Sequence, residues 1–335
     1  MADARRPPVV AALPRSLYLE TTNRCDSKCQ TCIRTFRSLE PPADLTLEQV
    51  KAIAEQFPVL ERVVLHGIGE PLLNVEIFEI IAYLKTRAAT VLFNSDAISL
   101  TAKRALRLIE SGLDEYRVSM DAATRQTYRR LRGVDQFDRV AANVRRLVVF
   151  ERERSRSAPR VSLWFTASRA NLPELLAFVR LAADLGVDEV YIQRLVFNGL
   201  GLATAENALH GGLHLQEQEL LDQAEGLAQA LGLALRASGL TTPLASLTAG
   251  APSPRPWAGC QRPWTLSYVT ANGNVLPCCI SPWVARDYPA LILGNALAEP
   301  FAEIWNGEPY RRFRSNFESA SPPDPCKGCG LLWSI

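Results

Sequence analysis

Strand-type and helix-type segments alternate six times between residues 16 and 231. Residues 16–22 (Ser-Leu-Tyr-Leu-Glu-Thr-Thr) alternate and carry β-formers, which predicts a first strand. Thr46-Leu-Glu-Gln49 has the form of a capping box and opens a helix to about residue 57. A second strand over 62–66 runs into Gly67-Ile-Gly-Glu-Pro71, and Asn74 is positioned to cap a helix to about residue 87. Further strands are predicted over 90–94, 115–120, 160–166 and 189–195. Helices are predicted over 101–110, 136–152, 171–185 and 215–231. This rhythm predicts an α/β fold with a parallel sheet and crossover helices. Six such units can curl into a partial (β/α)6 TIM-type barrel, open on one side. On rhythm alone, a doubly wound open sheet is the alternative. In either, ligands gather at the carboxyl ends of the strands. The loop after the first strand, Gly67–Pro71, Asn94 and Ser119 all fall there.

Composition bounds what such a fold can do. The 335 residues suffice for two domains, and 47% are apolar, enough for a sizeable core. A net charge of +2 makes no case for nucleic acid as a partner. No run of about 18 uncharged apolar residues predicts a membrane span. The N-terminus, with Pro7 and Pro8 after Arg5-Arg6, does not have the form of a signal peptide. A cytoplasmic protein is expected, in which clustered thiols bind metal more often than they pair. Residues 238–259, with Pro243, Pro252, Pro254 and Pro256, predict a linker between a core over 1–237 and a small module over 260–335. In that module Asn272-Gly273 signals a hairpin.

The eight cysteines fall into two groups with none between residues 33 and 259. The first is Cys25-Asp-Ser-Lys-Cys29-Gln-Thr-Cys32, which can point three sulfurs at one centre. A four-iron cluster normally takes four Cys thiolates. Three leave one iron open, as a catalytic metal centre requires, and a three-thiolate zinc site is the alternative. The second group is Cys260, Cys278, Cys279, Cys326 and Cys329. Two metal sites follow, the second with a structural zinc ribbon as its alternative.

The C-x3-C-x2-C spacing resembles the signature of the radical S-adenosylmethionine (SAM) enzymes. The resemblance implies a [4Fe–4S] cluster on Cys25, Cys29 and Cys32 whose open iron is chelated by the SAM methionine. Gly67, Gly69, Glu70 and Pro71 resemble that family's Gly-Gly-Glu-Pro motif, which binds the SAM amino group, with Ile68 where a glycine is common. Glycine lets backbone carbonyls approach a ligand closely. By the same resemblance, Asn94 and Ser119 contact the SAM ribose and carboxylate, Arg132 pairs with the carboxylate, and Ile192 lies near the adenine. His66 reads as an orienting hydrogen-bond partner. Cys260, twelve residues, Gly273, four residues and Cys278, followed by Cys326-Lys-Gly-Cys329, resemble the front half of the SPASM extension. The chain ends six residues after Cys329, which matches the shortened, twitch form with one auxiliary [4Fe–4S] cluster. Cys279 is the spare thiol.

The resemblance implies that reductive cleavage of SAM gives a 5′-deoxyadenosyl radical, which removes a hydrogen atom from the substrate. An auxiliary cluster closed by four thiolates can accept an electron, so a net two-electron oxidation is expected. The expected partners are a small-molecule or peptide substrate and a one-electron donor such as flavodoxin or ferredoxin. About fifteen residues precede the first strand, which favours a small alcohol or sugar-like substrate over a peptide. Peptide cross-linking or epimerisation is the second expectation, and a non-enzymatic metal scaffold the third. Glu20, Asp96 and Asp121, at strand ends, are candidate general bases.

Overall fold

The structure is a computed structural model. It describes residues 6–329 apart from 88, 155–157, 240, 249–254, 256 and 285, and leaves out the side chains of residues 328 and 329. Nine strands form: β1 (Ser16–Leu19), β2 (Arg62–Leu65), β3 (Thr90–Ser95), β4 (Glu115–Ser119), β5 (Arg160–Ala167), β6 (Glu189–Arg194), β7 (Ala234–Ala237), β8 (Leu266–Val269) and β9 (Val275–Leu276). The chain folds as two compact units. Among the described residues, the first comprises 6–24, 38–91 and 255–329, and the second 25–37 and 92–248. No described helix is long and apolar enough to cross a membrane.

In the second unit β3 to β7 pair in sequence order, all parallel. Paired residues share a sheet face and alternate along each strand. One face is apolar and buried, with Phe93, Val118, Leu163, Phe165 and Ile192, and Phe178 of the helix Leu175–Leu185 lies 4.9 Å from Phe165. The other carries Asn94, Arg117, Ser119, Trp164 and Tyr191, all half-buried. Six strands were expected in the core, and β7 adds a seventh parallel one. The helix Arg125–Arg132, also not read in the sequence, is capped by Thr124, which accepts from the Thr127 amide, and stops at Gly133.

In the first unit β1 pairs parallel with β2 on one side and β8 on the other. The predicted hairpin forms, with β9 antiparallel to β8 and Gly273 at φ +81°. Strand β8 is therefore both half of a hairpin and a parallel neighbour of β1. The Thr46–Gln49 capping box is present in full. Asn74 sits at the entry to its helix, where its Oδ1 accepts from the Glu76 amide (2.9 Å), while its amide donates to Thr21 O (2.7 Å) and Leu45 O (2.8 Å); the regular helix starts later, at Ile77–Thr86. Within the segment read as a linker, Pro243–Leu247 is a short helix capped by Thr242, and 240, 249–254 and 256 lie outside the described residues. In neither unit do the strands close on themselves, in keeping with the expected α/β fold whose sheet is open on one side, and apart from the β8–β9 hairpin the pairings described are parallel.

Candidate functional site

The cysteine loop belongs to the second unit and is held by its backbone. The Lys28 amide donates to Arg132 O (3.0 Å) and the Gln30 amide to Leu131 O (2.7 Å). Gly133, where that helix ends, lies so close that a β-carbon would sit 2.2 Å from Lys28 O. On the far side the Leu202 amide donates to Gln30 O (2.7 Å). The Ser27 amide donates to the Cys25 sulfur at 3.4 Å, and Cys32 precedes the one-turn helix Ile33–Phe36. The three thiols are half-buried. Burial pushes the Cys29 and Cys32 thiols up, Cys32 to about 12, while the Arg132 guanidinium pulls both back. Metal binding would release those protons.

Charged groups surround this loop. Arg132 donates to Asp121 at 2.9 Å, both side chains buried. Burial opposes the Arg132 charge, and Cys29 and Asp121 outweigh it, so its pKa is held well above the ordinary value. Asp121 also accepts from the Thr166 amide (2.7 Å), and its φ is +62°. Ala97 has φ +59°. Non-glycine residues in that region store strain, here just past the ends of β4 and β3. Asp96 accepts from Ser27 Oγ (2.7 Å) and the Ile98 amide (2.9 Å). Burial and the neighbouring Asp26 raise it to about 7. Ligand atoms of Cys25, Asp26 and Asp96 lie within 4.8 Å of one another.

Asn94 and Ser119 lie on the half-buried face of β3 and β4. Asn94 pairs in register with Arg117, and Ser119 with Trp164 and through it Tyr191. Trp164 stacks on Tyr191 at 4.1 Å, with Arg117 over it at 4.7 Å. Ile192 points the other way, into the helix-facing core at 1% exposure.

Gly67–Pro71 belongs to the first unit, and its glycines answer to close approach. A β-carbon on Gly69 would sit 2.0 Å from Thr22 O, and one on Gly67 2.1 Å from the Glu20 carboxylate. The Glu70 amide donates to Arg24 O (2.7 Å), and its carboxylate accepts from the Leu72 amide (3.0 Å) at the start of the turn Pro71–Leu73. Glu20 accepts from the Ile68 amide (2.6 Å) and the Ala271 amide (3.2 Å). It therefore joins this turn to the tip of the β8–β9 hairpin. Burial raises Glu20 to about 7 against the pull of those two amides. Glu40 accepts from Asn272, Asn274 and the Tyr288 hydroxyl at 2.8–2.9 Å.

The same unit carries a pocket lined by Cys260, Cys278 and Cys326. Cys279 is turned away, in an apolar cluster with Tyr268, Leu276 and Leu291. Cys329 ends the helix Asp324–Cys329, and its side chain lies outside the described residues. Sequence reasoning did not anticipate Arg262 on the cavity wall or the Asp121–Arg132 pair.

Each thiol set has the donor chemistry of an iron–sulfur cluster. Around the first, the buried Arg132 Nε and Asp26 Oδ1 have no hydrogen-bond partner, which fits a site completed by a bound group. Residues 19–150 match the Radical SAM superfamily, and residues 260–330 match SPASM, an iron–sulfur cluster-binding domain. The chain belongs to the radical SAM enzymes that carry a C-terminal SPASM domain, and their cofactors are two [4Fe–4S] clusters and SAM. It is similar to the AdoMet-dependent heme synthase of Methanosarcina barkeri, at 26% identity over 95% of this chain and 88% of that one. It is also similar to the PqqA peptide cyclase of Streptomyces rochei, at 26% identity over 98% and 84%. The fold resembles that of Streptococcus suis SuiB bound to S-adenosylmethionine, with a TM-score of 0.69 at 16% identity over 91% of this chain and 68% of that one.

Proposed function

We propose that this radical SAM enzyme oxidises a small molecule by two electrons. Cys25, Cys29 and Cys32 hold the SAM-binding cluster, and Cys260, Cys278, Cys326 and Cys329 hold the auxiliary one. The observation that carries this reading is the convergence of three thiols on one cavity, with Cys329 three residues beyond Cys326 as the fourth. When bound, the clusters and SAM supply hydrogen-atom abstraction from an unactivated carbon and a sink for the electron left behind. A site closed by four thiolates has no position for substrate, which supports electron acceptance over substrate binding. Gly67 and Gly69, pressed against Glu20 and Thr22, let the turn run close enough for its backbone, with Glu70 and Pro71, to meet the SAM amino group. Asn94 and Ser119 offer hydrogen bonds from the strand ends, and Arg132 holds a positive charge beside Cys29. A carbinol carbon that loses a hydrogen atom, then the hydroxyl proton and one electron, becomes a ketone. A flavodoxin or ferredoxin is the expected one-electron donor.

Similarity to a peptide cyclase along 98% of this chain supports a second reading, modification of a peptide by cross-linking or epimerisation. Anaerobic turnover with SAM and a one-electron reductant tests both, using panels of small alcohols and short peptides. The first reading predicts 5′-deoxyadenosine together with a small alcohol that has lost two hydrogens. Turnover of peptides alone overturns it. Cys29→Ala should abolish 5′-deoxyadenosine formation, because two thiolates do not hold a cluster with a single open iron.

A further inference from the structure

The connection from β6 to the helix Leu215–Ala230 runs over residues 195–214 with no helix or strand of its own, apart from a bridge between Leu200 and Ala203. Irregular connections longer than about 12–15 residues are uncommon and usually functional. This one is held at both ends. At one end the Arg169 guanidinium, just past β5, donates to Glu206 O (2.8 Å), Ala208 O (2.5 Å) and Gly212 O and pairs with Glu217 at 3.2 Å. The Arg169 amide donates to Asn207 O at 2.9 Å. At the other end the Leu202 amide donates to Gln30 O (2.7 Å). Gly201, at φ +53°, lies so close that a β-carbon would sit 2.4 Å from Gln30 O and from the Phe36 ring. The two ends are tied together. Asn207 Nδ2 donates to Leu202 O (3.2 Å), and Leu195, Ala203 and Ala208 share an apolar cluster with Phe197.

We propose that residues 197–212 form a strap, latched by Arg169, that clamps residues 29–32 and controls how fast iron leaves the cluster held there. The inference rests on the reading that Cys25, Cys29 and Cys32 hold a cluster. Gln30 lies between Cys29 and Cys32, and it is gripped from two sides, by the strap at its carbonyl and by Leu131 O at its amide. Both bonds come from outside the loop. A ligand loop this short keeps three sulfurs on one centre only while its backbone is fixed. Arg169 touches no thiol and acts through the strap, so it is a positioning residue. Its bonds to the strap are charge-assisted and stronger than neutral backbone bonds. Elements of this kind open locally at a lower cost than global unfolding. When the strap lifts, Gln30 O loses its partner and the loop is free to release iron.

The test follows iron release to a ferrous chelator from the anaerobically reconstituted full chain. Wild type is compared with Arg169→Gln, which opens the latch, and with Gly201→Ala, which lifts the other end and leaves the latch in place. In R169Q about half of the iron, the share of one of two clusters, should leave about tenfold faster or more, because a hydrogen bond to a charged group contributes at least that factor to an opening equilibrium. G201A should accelerate the same half. The other half should leave at the wild-type rate. An unchanged rate in either variant overturns the inference, as does equal acceleration of all the iron, the signature of general destabilisation. With Cys25, Cys29 and Cys32 all replaced by Ala, the fast phase of R169Q should vanish, and its persistence overturns the inference. If neither variant loads iron, hydrogen exchange of the wild-type apo chain decides. The Leu202, Ala203 and Ala208 amides should exchange together and well before those of β5, and exchange only in step with β5 overturns the inference. If wild type itself binds no iron, the cluster reading fails, and the inference fails with it.

Discussion

Glu20→Gln should remove a pH dependence from the stability of the chain. Glu20 is 2% exposed, and burial raises its carboxyl from 4.5 to about 7. A raised acid binds more protons when folded than when unfolded. Its stabilising contribution is complete below about pH 4.5 and is lost as pH rises through about 7. With roughly 1.4 kcal/mol per pH unit, this group should cost the wild type about 2 kcal/mol between pH 5.5 and pH 8. Glutamine imitates the protonated acid and does not titrate. It can accept from one of the two amides, so E20Q carries a fixed offset from the imperfectly met Ile68 or Ala271 amide. That offset is the same at both pH values. Urea unfolding of the anaerobic apo chain, wild type against E20Q, should show the difference between them moving by about 2 kcal/mol in favour of E20Q from pH 5.5 to pH 8. An identical difference at both pH values would show that Glu20 does not titrate as its burial requires.

Other substitutions test other parts of the account. Arg132→Met strands the buried Asp121 carboxylate and should cost about 3–5 kcal/mol, read as a fall in the melting temperature of the apo chain. An unchanged melting temperature would mean that the pair is not buried as described. Gly69→Ala forces a β-carbon to 2.0 Å from Thr22 O, and should destabilise by about 1–3 kcal/mol and weaken SAM binding in titration calorimetry. Gly226→Ala, in the helix Leu215–Ala230 with open space around it, should instead stabilise by about 1 kcal/mol, and a loss of stability there would contradict the packing. Cys278→Ala should lose one cluster's worth of iron while Cys279→Ala keeps it, and the opposite result would exchange the two thiols' roles.

The alternation of strand and helix made the first six strands readable, because each strand has a buried face and two of the crossover helices run into a left-handed glycine, Gly112 and Gly186. Strand β7 was not readable: Ala-Leu-Arg-Ala has little strand propensity, and pairing with β6 supplies what sequence does not. The helix Arg125–Arg132 hid behind four arginines, although Tyr128 and Leu131 carry the spacing of an inward face. Neither could the β1–β8 pairing be seen. Leu266–Val269 is buried at every position, so it shows no alternation, and its partner lies some 250 residues away. Thiol spacing made the two cysteine groups legible. The charges around them were not, because the pairing of Asp121 with Arg132 depends on a left-handed residue at the end of β4. Asn74 shows a local signal with a tertiary addition: its Oδ1 accepts from the Glu76 amide at the entry to the helix, while its amide satisfies two buried carbonyls that no local pattern reveals.

Iron and sulfide content tests the central claim most directly. The anaerobically reconstituted chain should hold about eight of each, four per cluster, and Cys326→Ala should hold about four. About four iron in both proteins, with zinc accompanying it in the wild type, would remove the electron acceptor and contradict a two-electron oxidation supported by the C-terminal cysteines.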